Sequence, residues 1–302
     1  MDLAELNSHF GLPGVLVFRQ LASGLIYADV NGPGGSATVY LQGAHLAAWQ
    51  PKGGAMPVLF MSRKSDLEPG KPIRGGVPIA FPWFAVDTKA DRVNGQPGPS
   101  HGFARLEDWT MAFSALAGED VHMTFTLGPT AMSRSMGFDK FRLSSQLTIG
   151  RTLKMELTVA NDDDKPLVFE EAMHTYFHVV DVHEVSVTGL EPTSFIDKTD
   201  DFKVKPAAHA PLVFTGFTDR VYENTTATCA IHDPLAKRVI SIEKGNSNTT
   251  VVFNPWKDMP DMGADEWHEM LAVETVNAGV NAVTLAPGKV HTMTSHVTVT
   301  AG

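Results

Sequence analysis

Apolar and polar residues alternate with a period of two along much of the chain. Val121, Met123, Phe125 and Leu127 are apolar, with His122, Thr124 and Thr126 between them. Phe141, Leu143, Leu147 and Ile149 share one face, opposite Arg142, Ser144, Gln146 and Thr148. Leu153, Met155, Leu157 and Val159 alternate with Lys154, Glu156 and Thr158. Each run predicts a half-buried strand whose odd positions face a core. Gly150-Arg151-Thr152 joins two of them at hairpin length. Asn161 to Pro166 reads as a polar turn. Near the C-terminus Val283 and Leu285 precede the turn Ala286-Pro287-Gly288-Lys289, after which Met293, Val297 and Val299 alternate with polar residues. Only short helices are expected, for example near Ala264–Met270. Many strands separated by turn signals predict an all-β fold, a large antiparallel β-sandwich with a few short helices. Loops such as Lys89–Ser100 are expected to lie over one face.

Composition narrows the class. The 302 residues are 43% hydrophobic and 19% charged, an ordinary globular balance. No composition shift or linker divides them, so residues 1–302 are read as a single domain. Lys plus Arg is 24 against 34 for Asp plus Glu, a net charge of −10 that disfavours a nucleic-acid partner. The longest apolar-leaning stretch is broken by Pro78 and Pro82 and falls short of the ~20 residues of a membrane helix. A single cysteine, Cys229, excludes an internal disulfide framework and a Cys-rich zinc site. The acidic start Met1-Asp2-Leu3-Ala4-Glu5 lacks the features of a secretory signal, which predicts a cytoplasmic protein.

Four stretches carry polar residues that a plain sandwich does not need. In Pro72-Ile73-Arg74-Gly75-Gly76-Val77-Pro78 a guanidinium sits beside two glycines, where backbone can approach a ligand closely. A surface arginine in a turn is the alternative, and the nucleotide P-loop pattern is absent. The second, Gly95 to Arg105, delivers His101 and Arg105 on a Gly/Pro-rich loop leading to Trp109. His101 there is either a ligand contact or a structural histidine bonded to the loop backbone.

The third stretch is Phe169-Glu170-Glu171-Ala172-Met173-His174-Thr175-Tyr176-Phe177-His178. His174 and His178 are four apart, but the run reads as extended and lacks the H-E-x-x-H pattern, which argues against a metal pair on a helix. His174 is then either a satisfied half-buried histidine or a general acid or base. In the fourth, Glu274 lies inside the apolar segment Leu271–Val276. A carboxyl there is either salt-bridged or raised in pKa by burial, which suits a base at neutral pH. Trp83, Trp109, Trp256 and Trp267 lie near these motifs and suit either sugar stacking or core packing.

Taken together and in this order, the motifs resemble the aldose 1-epimerase superfamily, most closely its hexose-6-phosphate branch. They are Arg74-Gly75-Gly76 with Pro78, His101-Gly102-Phe103-Ala104-Arg105 with Trp109, His174-Thr175-Tyr176-Phe177, Thr218-Asp219-Arg220 with Tyr222, Phe253-Asn254-Pro255-Trp256, and Val273-Glu274-Thr275 with Asn277. The resemblance implies the galactose mutarotase-like supersandwich. It also implies an isomerase that interconverts the α and β anomers of a 6-phosphorylated hexose without metal or organic cofactor. His174 and Glu274 match the family's catalytic pair. Arg74, His101, Arg105 and Asp219 match substrate-holding positions, the arginines at phosphate. Ser100 stands where the family often has Gln, so a shorter hydroxyl would make that contact. The expected partner is a small sugar phosphate, and the chain is expected to act as a monomer. Mutarotation of unphosphorylated sugars, a non-catalytic carbohydrate-binding sandwich, and a lyase or hydrolase on this fold are the competing readings. A glycosidase would need two flanking carboxyls, and only Glu274 stands out.

Overall fold

The computed structural model describes residues 1–87 and 94–302, so part of the expected covering loop Lys89–Ser100 lies outside the described residues. Among the described residues the chain is built almost entirely of antiparallel strands, in two large sheets and two small ones. The nine-stranded sheet runs, in spatial order, Leu212–Val213, Ser186–Thr188, Cys229–Asp233, Arg238–Gly245, Val290–Ala301, Leu153–Asn161, Phe141–Ile149, Asp120–Leu127 and Thr110–Ala117. The strands expected from alternation lie here. Asp120–Leu127 alternates strictly between buried and half-buried positions, and Phe141–Ile149 buries every odd residue. Gly150 turns tightly between Phe141–Ile149 and Leu153–Asn161, its N–H donating to the Thr152 carbonyl at 3.0 Å.

The second large sheet is less regular. Its order is Lys203–Lys205, Phe195–Asp197, Thr218–Glu223, Thr249–Asn254, Met270–Asn277, Glu171–Met173 and Ile79–Ala80, with Tyr176–His178 also paired to Met270–Asn277. Every residue of Met270–Asn277 is buried, so both faces of this central strand are covered and it carries no period-2 signal. One face meets the nine-stranded sheet. Met173, Phe177, Val252, Leu271 and Val273 join Val121, Phe125, Leu147 and Leu157 in one continuous core. The other face carries smaller apolar clusters around Tyr176, Phe253 and Ala272, and around Ala80, Ala172 and Val251.

The helical content is short. The expected helix near Ala264–Met270 is a 3-10 turn, Glu266–Glu269. Two α-helices, Leu3–Phe10 and Ala131–Ser135, start with reciprocal capping boxes, Asp2 with Glu5 and Thr130 with Ser133. No helix is long and apolar enough to cross a membrane among the described residues.

Candidate active site

Sheet register brings the two expected catalytic residues together. Met173 lies opposite Thr275 on the central strand, and Tyr176 lies opposite Ala272. Continuing that register puts His174 opposite Glu274, at the break between Glu171–Met173 and Tyr176–His178. Their side chains approach with His174 Nε2 3.4 Å from Glu274 Oε1. The His174 backbone is held from the other side, its N–H donating to the Pro78 carbonyl at 3.0 Å.

The next strands extend this face. Glu274 pairs with Val251, Val251 with Val221, and Phe253 with Asp219. Residues opposite one another or two apart share a face of a sheet. His174, Tyr176, Glu274 and Asp219 therefore project from the same side, away from the main core. Asp219 is ion-paired with Lys198 at 2.9 Å.

Arg74 reaches this face because two glycines let its loop press onto the neighbouring backbone. Gly76 has φ +60, and a Cβ there would meet the Leu46 carbonyl at 2.4 Å and His45 Nε2 at 2.7 Å. Its N–H donates to the Phe60 carbonyl at 2.7 Å, and its carbonyl accepts from Tyr176 N–H at 2.9 Å. The Arg74 side chain then donates from Nε to Asp261 Oδ2 at 2.7 Å and from Nη1 to the Tyr176 hydroxyl at 2.8 Å. Nη2 also lies 2.6 Å from Asp261. Of five N–H donors three are engaged, which leaves one on each terminal nitrogen, a fork suited to two oxygens of a phosphate.

The His101 loop folds over the same side. Gly102 has φ +73, and a Cβ would fall 1.9 Å from the Phe81 carbonyl, so only glycine permits this approach. His101 Nδ1 accepts from Ala85 N–H at 3.2 Å, so the neutral ring carries its proton on Nε2. The His101 ring stands edge-on to His174, with centroids 5.1 Å apart. Arg105 Nη2 donates to the Ser100 carbonyl at 2.7 Å, while Arg105 Nε is buried with no hydrogen-bond partner. Ser100 thus orients Arg105 through its backbone. Its hydroxyl donates to the Ala85 carbonyl at 3.4 Å.

Burial and charge push the central pair in opposite directions. Glu274, 2% exposed, is raised well above the ordinary carboxyl value, first by desolvation and then by the negative Asp219, against the pull of Lys198. His174 is held well below the ordinary imidazole value, first by desolvation and then by the positive fields of Arg74 and Arg105. Both shifts favour the uncharged forms, an imidazole and a carboxylic acid that hold one exchangeable proton between them. Passing that proton across the pair gives imidazolium and carboxylate without changing the count. His174 Nδ1 and Glu274 Oε2 are both buried without partners. Burial, with the charges of Arg105, Lys198 and Arg74, brings His101 down to about 3. Burial and the charge of Arg74 also lower Arg105. Arg105, lowered by the charge of Arg74 and carrying an unsatisfied buried N–H, makes with Arg74 a place where an anion would be stabilised.

The structure places the other marked residues elsewhere. His178 does not join His174 as a pair: its carbonyl accepts from Arg238, and its Nδ1 has no partner. Glu170 accepts backbone N–H groups of Phe84 and Gly279, and Glu171 accepts from Asn277 and His291. Trp109 is core, with Nε1 bonded to the Ala104 carbonyl, and Trp83 is buried with Nε1 bonded to the Pro99 carbonyl. Trp256 and Trp267 face each other at 5.0 Å and pack around His183 and His268. Sequence reasoning gave no role to Lys198, Asp261 or Tyr176. Tyr176 stacks on His174 with centroids 4.7 Å apart and planes 11° off parallel. Its place two residues after His174 in an extended run was the available signal, because such residues share a face. Lys198 and Asp261 are joined to the site only through the tertiary fold.

Comparison with known proteins places the chain in a family. The model of the family "Aldose 1-epimerase" matches residues 26–298. A protein of Salmonella typhimurium named "Putative glucose-6-phosphate 1-epimerase" is 33% identical over 282 residues, covering 90% of this chain and 92% of its own. A protein of Cenchrus ciliaris with the same name is 29% identical over 266 residues, covering 84% and 78%. The crystal structure of a "putative mutarotase" from Salmonella typhimurium superposes with a TM-score of 0.88 at 32% identity, covering 96% of this chain and 95% of its own. A "galactose mutarotase-like protein" from Clostridium acetobutylicum, at 13% identity and TM-score 0.71 over 95% and 98%, shares the fold.

Proposed function

The chain belongs to the aldose 1-epimerase family, and we propose that it interconverts the α and β anomers of a hexose 6-phosphate, with Glu274 and His174 as the acid–base pair. The observation that carries this reading is the buried His174–Glu274 approach at 3.4 Å, on a face that also presents Arg74 and Arg105. The names borne by the relatives point to the same substrate class.

The chemistry follows from the single shared proton. In its charged form the pair offers a carboxylate and an imidazolium. Glu274 removes the C1 hydroxyl proton, His174 delivers its proton to the ring oxygen, the bond from C1 to the ring oxygen breaks, and C1 becomes an aldehyde. The pair is then neutral. Rotation about the C1–C2 bond followed by the reverse transfers closes the other anomer and restores the starting charges. Each positioned group of this kind contributes about 10²–10⁴-fold. Tyr176 holds the His174 ring by stacking, and Asp219 with Lys198 tunes Glu274 and faces the sugar hydroxyls. Arg74 and Arg105 take the phosphate. The net charge of −10 does not prevent this, because fields are screened beyond ~8 Å at physiological salt while bidentate contacts act at short range.

The test is anomer exchange followed by NMR magnetisation transfer, with glucose 6-phosphate beside free glucose and galactose. Acceleration confined to the phosphosugar is expected. Acceleration only of free sugars would keep the acid–base pair and remove the phosphate from the reading. Binding without acceleration of any sugar would overturn it in favour of a carbohydrate-binding protein.

A further inference from the structure

We propose that Asp181, His183 and His268 form a binding site for a divalent metal ion of the zinc class, separate from the anomer-exchange site. Their nearest ligand atoms all lie within 4.8 Å of one another. Asp181 and His183 follow the strand Tyr176–His178, and His268 belongs to the 3-10 turn that precedes the central strand. Backbone bonds clamp the two segments together: Val179 N–H donates to the Glu269 carbonyl at 3.0 Å and Val182 N–H to the His268 carbonyl at 2.7 Å. The central strand rises about 3.3 Å per residue, so Glu274 lies ~13 Å further along it than Met270.

The donor set is the first argument. Two imidazoles and one carboxylate suit Zn²⁺, Ni²⁺ and Cu²⁺, whereas Mg²⁺ and Ca²⁺ prefer all-oxygen cages.

The geometry is the second. Asp181 Oδ1 lies 2.6 Å from His183 Nδ1 and 3.8 Å from His268 Nδ1. A tetrahedral ion with ligands at about 2.0–2.1 Å needs neighbouring donors about 3.3 Å apart. The first distance must open by about 0.7 Å and the second close by about 0.5 Å, and the remaining pair, which lies within 4.8 Å, must draw together, within the reach of side-chain rotations. The third argument is preorganisation. Trp256 packs on His183 at 4.4 Å and Trp267 on His268 at 3.7 Å, so the rings are braced before any ion arrives. The three side chains are 35–39% exposed, which gives an ion an entry path and leaves its fourth position to water.

A bound ion would tie the turn after Tyr176–His178 to the start of the central strand. The segment leading into the His268 turn carries Asp261, the partner of Arg74, so the ion would stiffen the rim of the phosphate end without touching substrate.

The probes are Zn²⁺ by calorimetry and Cu²⁺ by tryptophan fluorescence, on the full chain after chelator treatment. Expected are one Zn²⁺ per chain, a rise in Tm with Zn²⁺, and quenching by Cu²⁺ of the emission from Trp256 and Trp267. Replacing even an outer partner of a metal ligand weakens affinity about 10–100-fold, so loss of a direct ligand in His183→Ala, His268→Ala or Asp181→Asn should weaken it at least that much. His183→Ala should leave turnover in chelator unchanged. If His268→Ala fails to fold, His183→Ala alone decides, since its side chain lies at an exposed turn. Zn²⁺ binding that survives His183→Ala, or no binding by the unsubstituted chain, would overturn the proposal.

Discussion

Replacing Glu274 by Gln separates the chemistry of the site from its stability. Gln keeps the shape of the side chain and removes both the charge and the ability to accept a proton. The residue is 2% exposed and its Oε2 has no partner, so no hydrogen bond at that oxygen is lost. The loss of one acid–base group predicts a fall in kcat/KM of about 10²–10⁴-fold, equivalent to about 2.7–5.5 kcal/mol of transition-state stabilisation. KM for the phosphosugar should change little, because the guanidiniums remain. The stability effect has the opposite sign. The folded carboxyl titrates well above its ordinary value, mainly because it is desolvated. Between the ordinary and the raised value the folded state keeps a proton that the unfolded chain has released. Stability therefore falls as pH rises through that window, by up to about 1.36 kcal/mol for each pH step of one across it. Glu274→Gln should match the parent below the ordinary carboxyl range and exceed it at alkaline pH. Urea melts from acid to alkaline pH, run beside NMR exchange rates, read both effects. A variant that retains near-normal turnover would refute the role of Glu274. One that is less stable than the parent at high pH would show that the carboxylate is a satisfied, stabilising partner.

Other perturbations test the supporting parts. Arg74→Ala should raise KM for hexose 6-phosphates about 10–100-fold, the worth of roughly 1.5–3 kcal/mol of charge-assisted bonding, and leave kcat and the exchange of free sugars nearly unchanged; steady-state kinetics on both substrates checks it. Gly76→Ala should destabilise the fold by at least ~1–3 kcal/mol, since φ is +60 and the new Cβ meets the Leu46 carbonyl at 2.4 Å, an outcome read by thermal melting. His291 is raised above its ordinary value, chiefly by its 2.7 Å bond to buried Glu171. Its contribution to stability is complete below the ordinary imidazole value and is lost as pH rises through the raised one; His291→Gln should flatten that part of the pH–stability curve in denaturant melts.

The long strands were legible because they are covered on one side only. Asp120–Leu127, Phe141–Ile149 and Leu153–Asn161 alternate in burial as they alternate in residue type. The strands that build the site are not of this kind. Met270–Asn277 is buried on both faces, and Ile79–Ala80, Glu171–Met173 and Tyr176–His178 are too short to show a period. The chemistry was legible without them, because a histidine and a glutamate among core residues are costly and so conspicuous. Their pairing was not, because it depends on the register of two short strands on a third, about a hundred residues away. The Asp261 partner of Arg74 is 187 residues distant and the Lys198 partner of Asp219 lies in another loop, so neither had a local signature. The helix Leu3–Phe10 did have one, the Asp2–Glu5 capping box, in a stretch read only for the absence of a signal.

The two-sided burial that hides the central strand from pattern reasoning is also what equips it for proton transfer. On a half-exposed strand Glu274 would turn toward water and titrate as an ordinary carboxyl. Within Met270–Asn277 every neighbour is buried, and rotation offers no escape. His174 meets the same constraint from the opposite side, stacked on Tyr176 and edged by His101. Desolvation raises one group and lowers the other, and the neutral pair and the ion pair differ only by transfer of one proton. Anomer exchange uses both states, because ring opening starts from one and reclosure from the other. The break between Glu171–Met173 and Tyr176–His178 supplies the last requirement. It frees His174 from the ladder at the one register position that faces Glu274, while the strands on either side keep it from moving away.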